Sequence, residues 1–269
     1  MPSHILVIDQ SREPNIKLQQ DISANTNKFV SFLHTYPQIG LVDSKRIAVE
    51  YSNADPVCFL EDDVVLDKNF FEEIASTLDD KSWALGIGGV CRNSHCDNLL
   101  YVLFHGLFYR GIFKDSRPII TFLRNILSKK IYHSETLSGG ISVWRREALN
   151  AIPFVPEDGF HMMEDMHFCR KVTNRFGPRL WINPRATLQH FPAKEGRAAS
   201  GDFEKRRIEE AFAFSRYHRK DLKEILAFLW LGVGLTLISL SKSILCKSFL
   251  PIHGHLRGII SCAQSWSKE

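Results

Sequence analysis

A chain of 269 residues that is 44% hydrophobic and 24% charged is long enough for one large α/β domain, and its ordinary composition excludes a disordered or fibrous protein. Its formal net charge of +4 is too small to argue for nucleic acid and suits a phosphate-bearing substrate or an anionic membrane face. Six cysteines without a paired framework, and the N-terminus MPSHILVID without a signal-peptide pattern, point to a reducing cytosolic setting with no disulfides.

The run Ile5-Leu6-Val7-Ile8 ends at Asp9 and a polar stretch, the pattern of a buried parallel strand with its C-terminal loop. A helix is predicted over 44–51 and a strand over 56–60. That strand runs into three successive acids, Glu61, Asp62 and Asp63, and a helix over 69–78 follows. Helices alternating with short apolar strands through the first third of the chain predict an open, largely parallel sheet. Further strands are predicted over 85–90 and 140–144, the second turning into a short helix over 145–150. Between them, 98–130 mixes Leu, Phe, Tyr and Ile with Lys114, Arg117, Arg124, Lys129 and Lys130. Core helices, an acceptor-binding lid and an interfacial element are all open for that stretch.

A helix over 163–172 begins with Glu164 and Asp165, acids that a helix N-terminus favours through its dipole. A strand over 179–190 follows. A charged amphipathic helix is then predicted over 202–221, with Phe203, Ile208, Ala211, Phe212 and Ser215 on its buried side. The tail differs in character, because 225–240 carries no charge. A helix of that length covers roughly 24 Å, short of the ~30 Å hydrocarbon core. The reading is therefore a helix lying in or dipping into a membrane, with Arg216, Arg219, Lys220 and Lys223 facing anionic head groups and a second apolar patch over 249–260. The expected domains are 1–221 and a membrane-associating helical tail, 222–269.

Three adjacent carboxylates with no basic neighbour repel one another unless water or a cation neutralises them. Mg²⁺ or Mn²⁺ needs only one or two protein carboxylates and completes its shell with water and phosphate oxygens. A solvated loop is the plain alternative. Cys91, His95 and Cys96 make half a zinc site at most, since no second Cys/His pair follows at ligand spacing.

The segment VCFLEDDVVLDKNFFEEI resembles the DXD segment of family 2 inverting glycosyltransferases. ILVIDQS is similar to that family's strand ending in a base-contacting aspartate, DSKRIAVEYSNAD to the helix after it, and LSGGISVWRREAL to its acceptor-side strand and turn. MEDMHFCRKV resembles its ED-type helix, and RLWINPRATLQH the next strand, ending in a histidine. The matches run in the family's order from residue 5 to about 220.

The resemblance implies a GT-A (Rossmann-like) α/β fold, an open, mostly parallel sheet flanked by helices, with a C-terminal hydrophobic helical tail. Residue by residue, it implies that Asp9 binds the nucleoside base, that Asp63 binds the metal with Glu61 or Asp62 assisting, and that Asp62 joins the nucleotide-sugar site. Asp165 would be the catalytic base, with Glu164 orienting the helix start. His190 would stand near diphosphate and metal, and Lys45 or Arg46 would meet a phosphate. Gly139, Gly140 and Trp144 would line the acceptor pocket, glycine through close backbone approach and tryptophan as a face for a sugar ring, with the core an equal alternative for Trp144. The sequence departs from the pattern in carrying Glu61 for the usual first aspartate, and in lacking the family's earlier strand and helix ahead of Ile5.

The function so implied is transfer of a sugar, with inversion, from a nucleoside-diphosphate sugar to a glycan or lipid-linked acceptor. It would be metal-dependent, and would serve cell-surface polysaccharide synthesis at the cytoplasmic face of the membrane. Two other readings stand beside it: a non-catalytic remnant or binding subunit, and a nucleotidyltransferase or phosphatase using the acids for metal-assisted phosphate chemistry.

Overall fold

The computed structural model describes residues 2–25, 30–93, 98–109, 111–123, 130–156, 159–191, 200–218 and 221–266. The polypeptide begins with β1 (Ile5–Asp9), α1 (Ile16–Asn25) and β2 (Val30–His34). The two strands pair in parallel as a small sheet of their own. Next, α2 (Gly40–Tyr51) leads into β3 (Val57–Leu60), β4 (Val64–Leu66), α3 (Phe70–Asp80) and β5 (Gly86–Cys91). Then come α4 (Leu99–Phe108), α5 (Arg117–Phe122), β6 (Tyr132–His133), β7 (Ile141–Trp144), α6 (Arg146–Ala151), α7 (Glu164–Phe176) and β8 (Leu180–His190). Three helices close the chain: α8 (Ser200–His218), α9 (Leu222–Leu245) and α10 (Leu250–Trp266).

The expected α/β class is what the structure has, a central sheet between helices, but its pairing corrects the expectation of a mostly parallel sheet. The strand order is β3-β7-β5-β8-β4, with β6 also on β8. Only β5–β8 in this sheet, and β1–β2 outside it, run parallel. Strand β7 enters antiparallel between β3 and β5, and β4 pairs antiparallel with the end of β8. Alternating helices and strands suggested crossovers, yet β4 follows β3 after only three residues, too short a link for a parallel return.

Apolar side chains cover both faces of the sheet. On one, Phe59, Leu85, Trp144 and Leu180 pack against Phe168 and Val172 of α7, with Val42, Ala48 and Val49 of α2 at the margin. On the other, Ile87, Val143 and Leu188 meet Phe70, Ile74 and Leu78 of α3. The register of β5 with β8 jumps between Gly88↔Ile182 and Val90↔Thr187. Across that irregularity Asn183 donates to the Glu73 carbonyl and to Thr77 Oγ1, and its own Oδ1 accepts from Arg185 N. The displaced backbone bends β8 so that its last residues lie beside β4 and it ends at His190.

A third apolar cluster joins Phe108, Phe113, Phe160 and Met163 to Ile208 and Phe214 of α8 and Leu231 and Leu235 of α9. This corrects two expectations. On α8, Phe203 is exposed while Glu204 is fully buried, and Phe214 is buried where no inward role was foreseen. The charge-free segment 225–240 sits inside a helix of 24 residues, about 36 Å long. By length and composition alone, α9 could cross a membrane. Lys242 continues the helix instead of ending it. His95 and Cys96, from the half zinc site, lie outside the described residues.

Candidate active site

Strand β3 stops where three acids make further burial unfavourable, and the turn that follows leaves Asp62 exposed while Asp63 faces inward. Glu61 N donates to the Gly140 carbonyl at 3.1 Å, which extends the β3–β7 ladder by one bond. The Glu61 side chain lies so closely over Gly140 that a Cβ there would overlap its carboxyl group. From the far end of β8, His190 Nε2 reaches Asp63 Oδ1 at 3.1 Å and Glu61 Oε2 at 3.5 Å. His190 is held in place by Asn93, whose Oδ1 accepts from the His190 N–H and whose Nδ2 donates to its carbonyl.

Ligand atoms of Glu61, Asp63 and His190 all lie within 4.8 Å of one another, close enough to share one cation. Asp63 Oδ1 is buried and accepts no hydrogen bond among the described residues, because His190 approaches at ion-pair distance without hydrogen-bond alignment. A buried carboxylate oxygen left in that state is costly, and a hard divalent cation satisfies it directly. Two carboxylates and an imidazole suit Mn²⁺ or Mg²⁺ with open positions for water and phosphate oxygens. Burial raises the Glu61 pKa, His190 beside it pulls the other way, and Asp63 adds to the rise.

Asp165 stands at the start of α7. Its Oδ2 accepts from Gly139 N at 3.1 Å and its Oδ1 from Met166 N at 2.7 Å. Burial first, and the neighbouring Glu164 second, push its pKa up to about 6, with Arg117 and Lys45 opposing. Consecutive residues therefore bond to the two acidic residues: Gly139 donates its N–H to the Asp165 carboxylate, and the Gly140 carbonyl accepts from the Glu61 backbone N–H. The β7 entry turn lies against both, and Glu61 feels the charges of Lys45 and of Glu164, the neighbour of Asp165.

Other expected site residues are placed differently. Lys45 does not offer its charge to a phosphate. Its Nζ donates to Glu164 Oε1 at 2.7 Å, with both side chains buried, and lies 5.9 Å from the ring centroids of Phe59 and of Phe154. Arg46 points outward to Asp43 and Glu50. Trp144 belongs to the core and not to an acceptor pocket: it is 3% exposed, donates to Ser142 Oγ and packs edge-on against Phe168. Asp9 uses both oxygens locally, accepting from Ser11 N and Oγ and from Asn15 N, which holds its pKa below the usual carboxylate range.

Two neighbours escaped sequence reasoning. Gln10 ties β1 to α2 by donating to Ser44 Oγ and accepting from Ile39 N and Gly40 N. Arg146 fastens the far end of α2 by donating to the Val49, Ser52 and Ala54 carbonyls. A polar residue after a strand and an arginine opening a short helix carry no local signal for either task.

No protein-family model matches the sequence, and no curated protein matches it. Among solved structures the chain is similar to the mannosyltransferase PcManGT from Pyrobaculum calidifontis in complex with GDP-Man and Mn²⁺. The TM-score is 0.58 at 13% identity, over 100% of this chain and 80% of that one. It is similar to GalNAc-T7 with UDP, GalNAc and Mn²⁺, at TM-score 0.55 and 13% identity, over 86% of this chain and 48% of that one. It also resembles TarS 1–349 of S. aureus in complex with UDP-GlcNAc, at TM-score 0.50 and 13% identity, over 88% of this chain and 64% of that one. The chain thus spans about half of GalNAc-T7 and just under two thirds of the TarS fragment. At these identities the likeness is one of fold, and that fold is GT-A-like.

Proposed function

We propose that the protein is a metal-dependent glycosyltransferase that moves a sugar, with inversion, from a nucleoside-diphosphate donor to a glycan or lipid-linked hydroxyl acceptor. One observation carries the reading: the Gly139–Gly140 turn bonds both to the Asp165 carboxylate and to the backbone of Glu61, whose side chain shares a candidate cation position with Asp63 and His190. The fold neighbours captured with GDP-Man or UDP and Mn²⁺ add support from outside the chain.

Glu61, Asp63 and His190 are the residues that would hold the cation. Its chemistry, when bound, is to stabilise negative charge on a departing diphosphate. Asp165 takes the proton of the acceptor hydroxyl as that oxygen bonds to the anomeric carbon, and the bond from that carbon to the diphosphate oxygen breaks. Products are a glycoside, a nucleoside diphosphate and a protonated Asp165. Attack from the side opposite the leaving group inverts the anomeric centre. Glu164, paired with Lys45, fixes the start of α7, while burial first and the Glu164 charge second raise the Asp165 pKa to about 6, which suits a base near neutral pH. Transfer to such an acceptor would serve the assembly of a cell-surface glycan.

Asp9 and Lys45 have their charges bound internally, and this favours a second reading, a scaffold that keeps the fold without turnover. A thermal-shift series with GDP and UDP, with and without Mn²⁺, tests the donor half. We expect a melting-temperature rise that needs both ligand and metal in the wild type and vanishes in Asp63→Asn. A metal-independent response, or none, would remove the metal–diphosphate reading. Donor hydrolysis or transfer, lost in Asp165→Asn with the shift intact, separates the enzyme from the scaffold.

A further inference from the structure

Helix α9 is apolar on two opposite sides. Its inner side, Leu231, Gly234 and Leu235, is buried against α4 and α8. Its outer side presents Leu226, Trp230, Val233, Leu237, Leu240 and Ile244 at steps of three and four residues, each between 42% and 76% exposed. Helix α4, more than a hundred residues earlier in the chain, adds Leu100, Leu103 and Leu107, each more than half exposed. The two stripes are joined: Trp230 Nε1 donates to the Leu107 carbonyl at 2.9 Å, and the Trp230 ring stacks on Phe108 at 5.2 Å between centroids. Soluble monomers rarely expose one continuous apolar surface built from two helices.

Beyond the first turn of α9, where Asp221 caps the helix and Glu224 pairs with Arg170, the charge along this surface is of one sign. From 225 to 266 the chain has no acidic residue, and carries Lys242, Lys247 and Arg257. Lys223 stands exposed at the start of α9, and Lys247 beside the strongly exposed Phe249 at its end. Cations at the edges of an apolar stripe complement anionic lipid head groups.

The inner side decides how α9 can meet a bilayer. Glu204 of α8 is fully buried behind it, accepting from Lys242 Nζ at 2.7 Å and Ser239 Oγ at 3.0 Å and pairing with Arg207. If α9 crossed the membrane, this charged cluster would have to enter hydrocarbon with it or be torn apart. We propose that the apolar face shared by α4 and α9 seats the protein on an anionic bilayer, with α9 lying in the membrane plane and not across it.

The test uses the full chain with no donor or acceptor, so its result is independent of the transfer reading. Protein is floated with vesicles of neutral phosphatidylcholine and with vesicles that also contain phosphatidylglycerol. We expect binding to the anionic vesicles, weakened by salt and by Lys223→Gln with Lys247→Gln, and released by alkaline carbonate. Leu226→Glu with Val233→Glu on α9, and separately Leu100→Gln with Leu103→Gln on α4, should each lower binding about tenfold. Circular dichroism checks that both variants stay folded, and Asp165→Asn should bind as the wild type does. Binding to neither vesicle, or binding indifferent to both the α4 and the α9 changes, overturns the proposal. So does retention through carbonate, which means a span, or a dimer without vesicle binding that these changes dissociate, which means a contact between copies.

Discussion

Asp165 is held for two competing demands. Its two oxygens accept from Gly139 and Met166, while burial and Glu164 lift its pKa to about 6. A carboxylate whose folded pKa exceeds its unfolded value of 3.8 favours folding at low pH, and that contribution disappears as pH rises through about 6. Asp165→Asn should therefore gain stability relative to the wild type between pH 4 and 8, by on the order of 1 kcal/mol. Denaturant melts at both ends of that window check it. The amide forfeits one acceptor, but that loss does not change with pH, so the difference between the two ends isolates the burial. A gap that is constant across the window would mean that the wild-type carboxylate is not raised. The same carboxylate must be ionised to act as a base, so kcat of the wild type should rise with pH through about 6.

At the scale of elements, the site depends on how strands end. Gly140→Ala would drive a Cβ into the Glu61 carboxyl group while leaving the β7 ladder intact. We expect weaker Mn²⁺ binding, by roughly tenfold, with little change in melting temperature. Titration calorimetry beside a thermal melt separates the two; a large loss of stability with unchanged metal affinity would refute the placement of Glu61. Strand ends were also what the sequence displayed best. The run 56–60 halts at Glu61 and 179–190 halts at His190, because acids and a terminal histidine break apolar patterns in plain view. The role of Trp144 was not visible, since all four residues of β7 are buried and a strand covered on both faces gives no alternation to tell core from pocket. β4 has three residues, too few for any period, and β2, with three apolar residues in five, is too short a run to declare its period. Lys45 was misread because its buried partner lies 119 positions away, and local spacing carries no trace of such a pairing.

Across the whole molecule, that pairing ties the N-terminal β1–α2 unit to α7 and so to Asp165. Removing one partner of a buried ion pair leaves a charge without compensation. Lys45→Met should destabilise by about 3 kcal/mol, and adding Glu164→Gln should recover a large part of it. A double-mutant cycle by chemical denaturation measures the coupling, and additive effects would mean that the pair is not a tie. On the opposite side, Arg170 links α7 to Glu135 and to Glu224 in the first turn of α9. The helix bearing Asp165 is thus clamped from both flanks. The fold class was legible because it follows from the order of elements, whereas the clamps join distant segments and exist only once the chain has closed on itself.

The adjacency of Gly139 and Gly140 sets a fixed gauge between their bonding partners, Asp165 and Glu61. Loops elsewhere can lengthen or shorten without altering that distance. Inserting a single residue between these two glycines would pull the halves of the chemistry out of step while leaving each one whole.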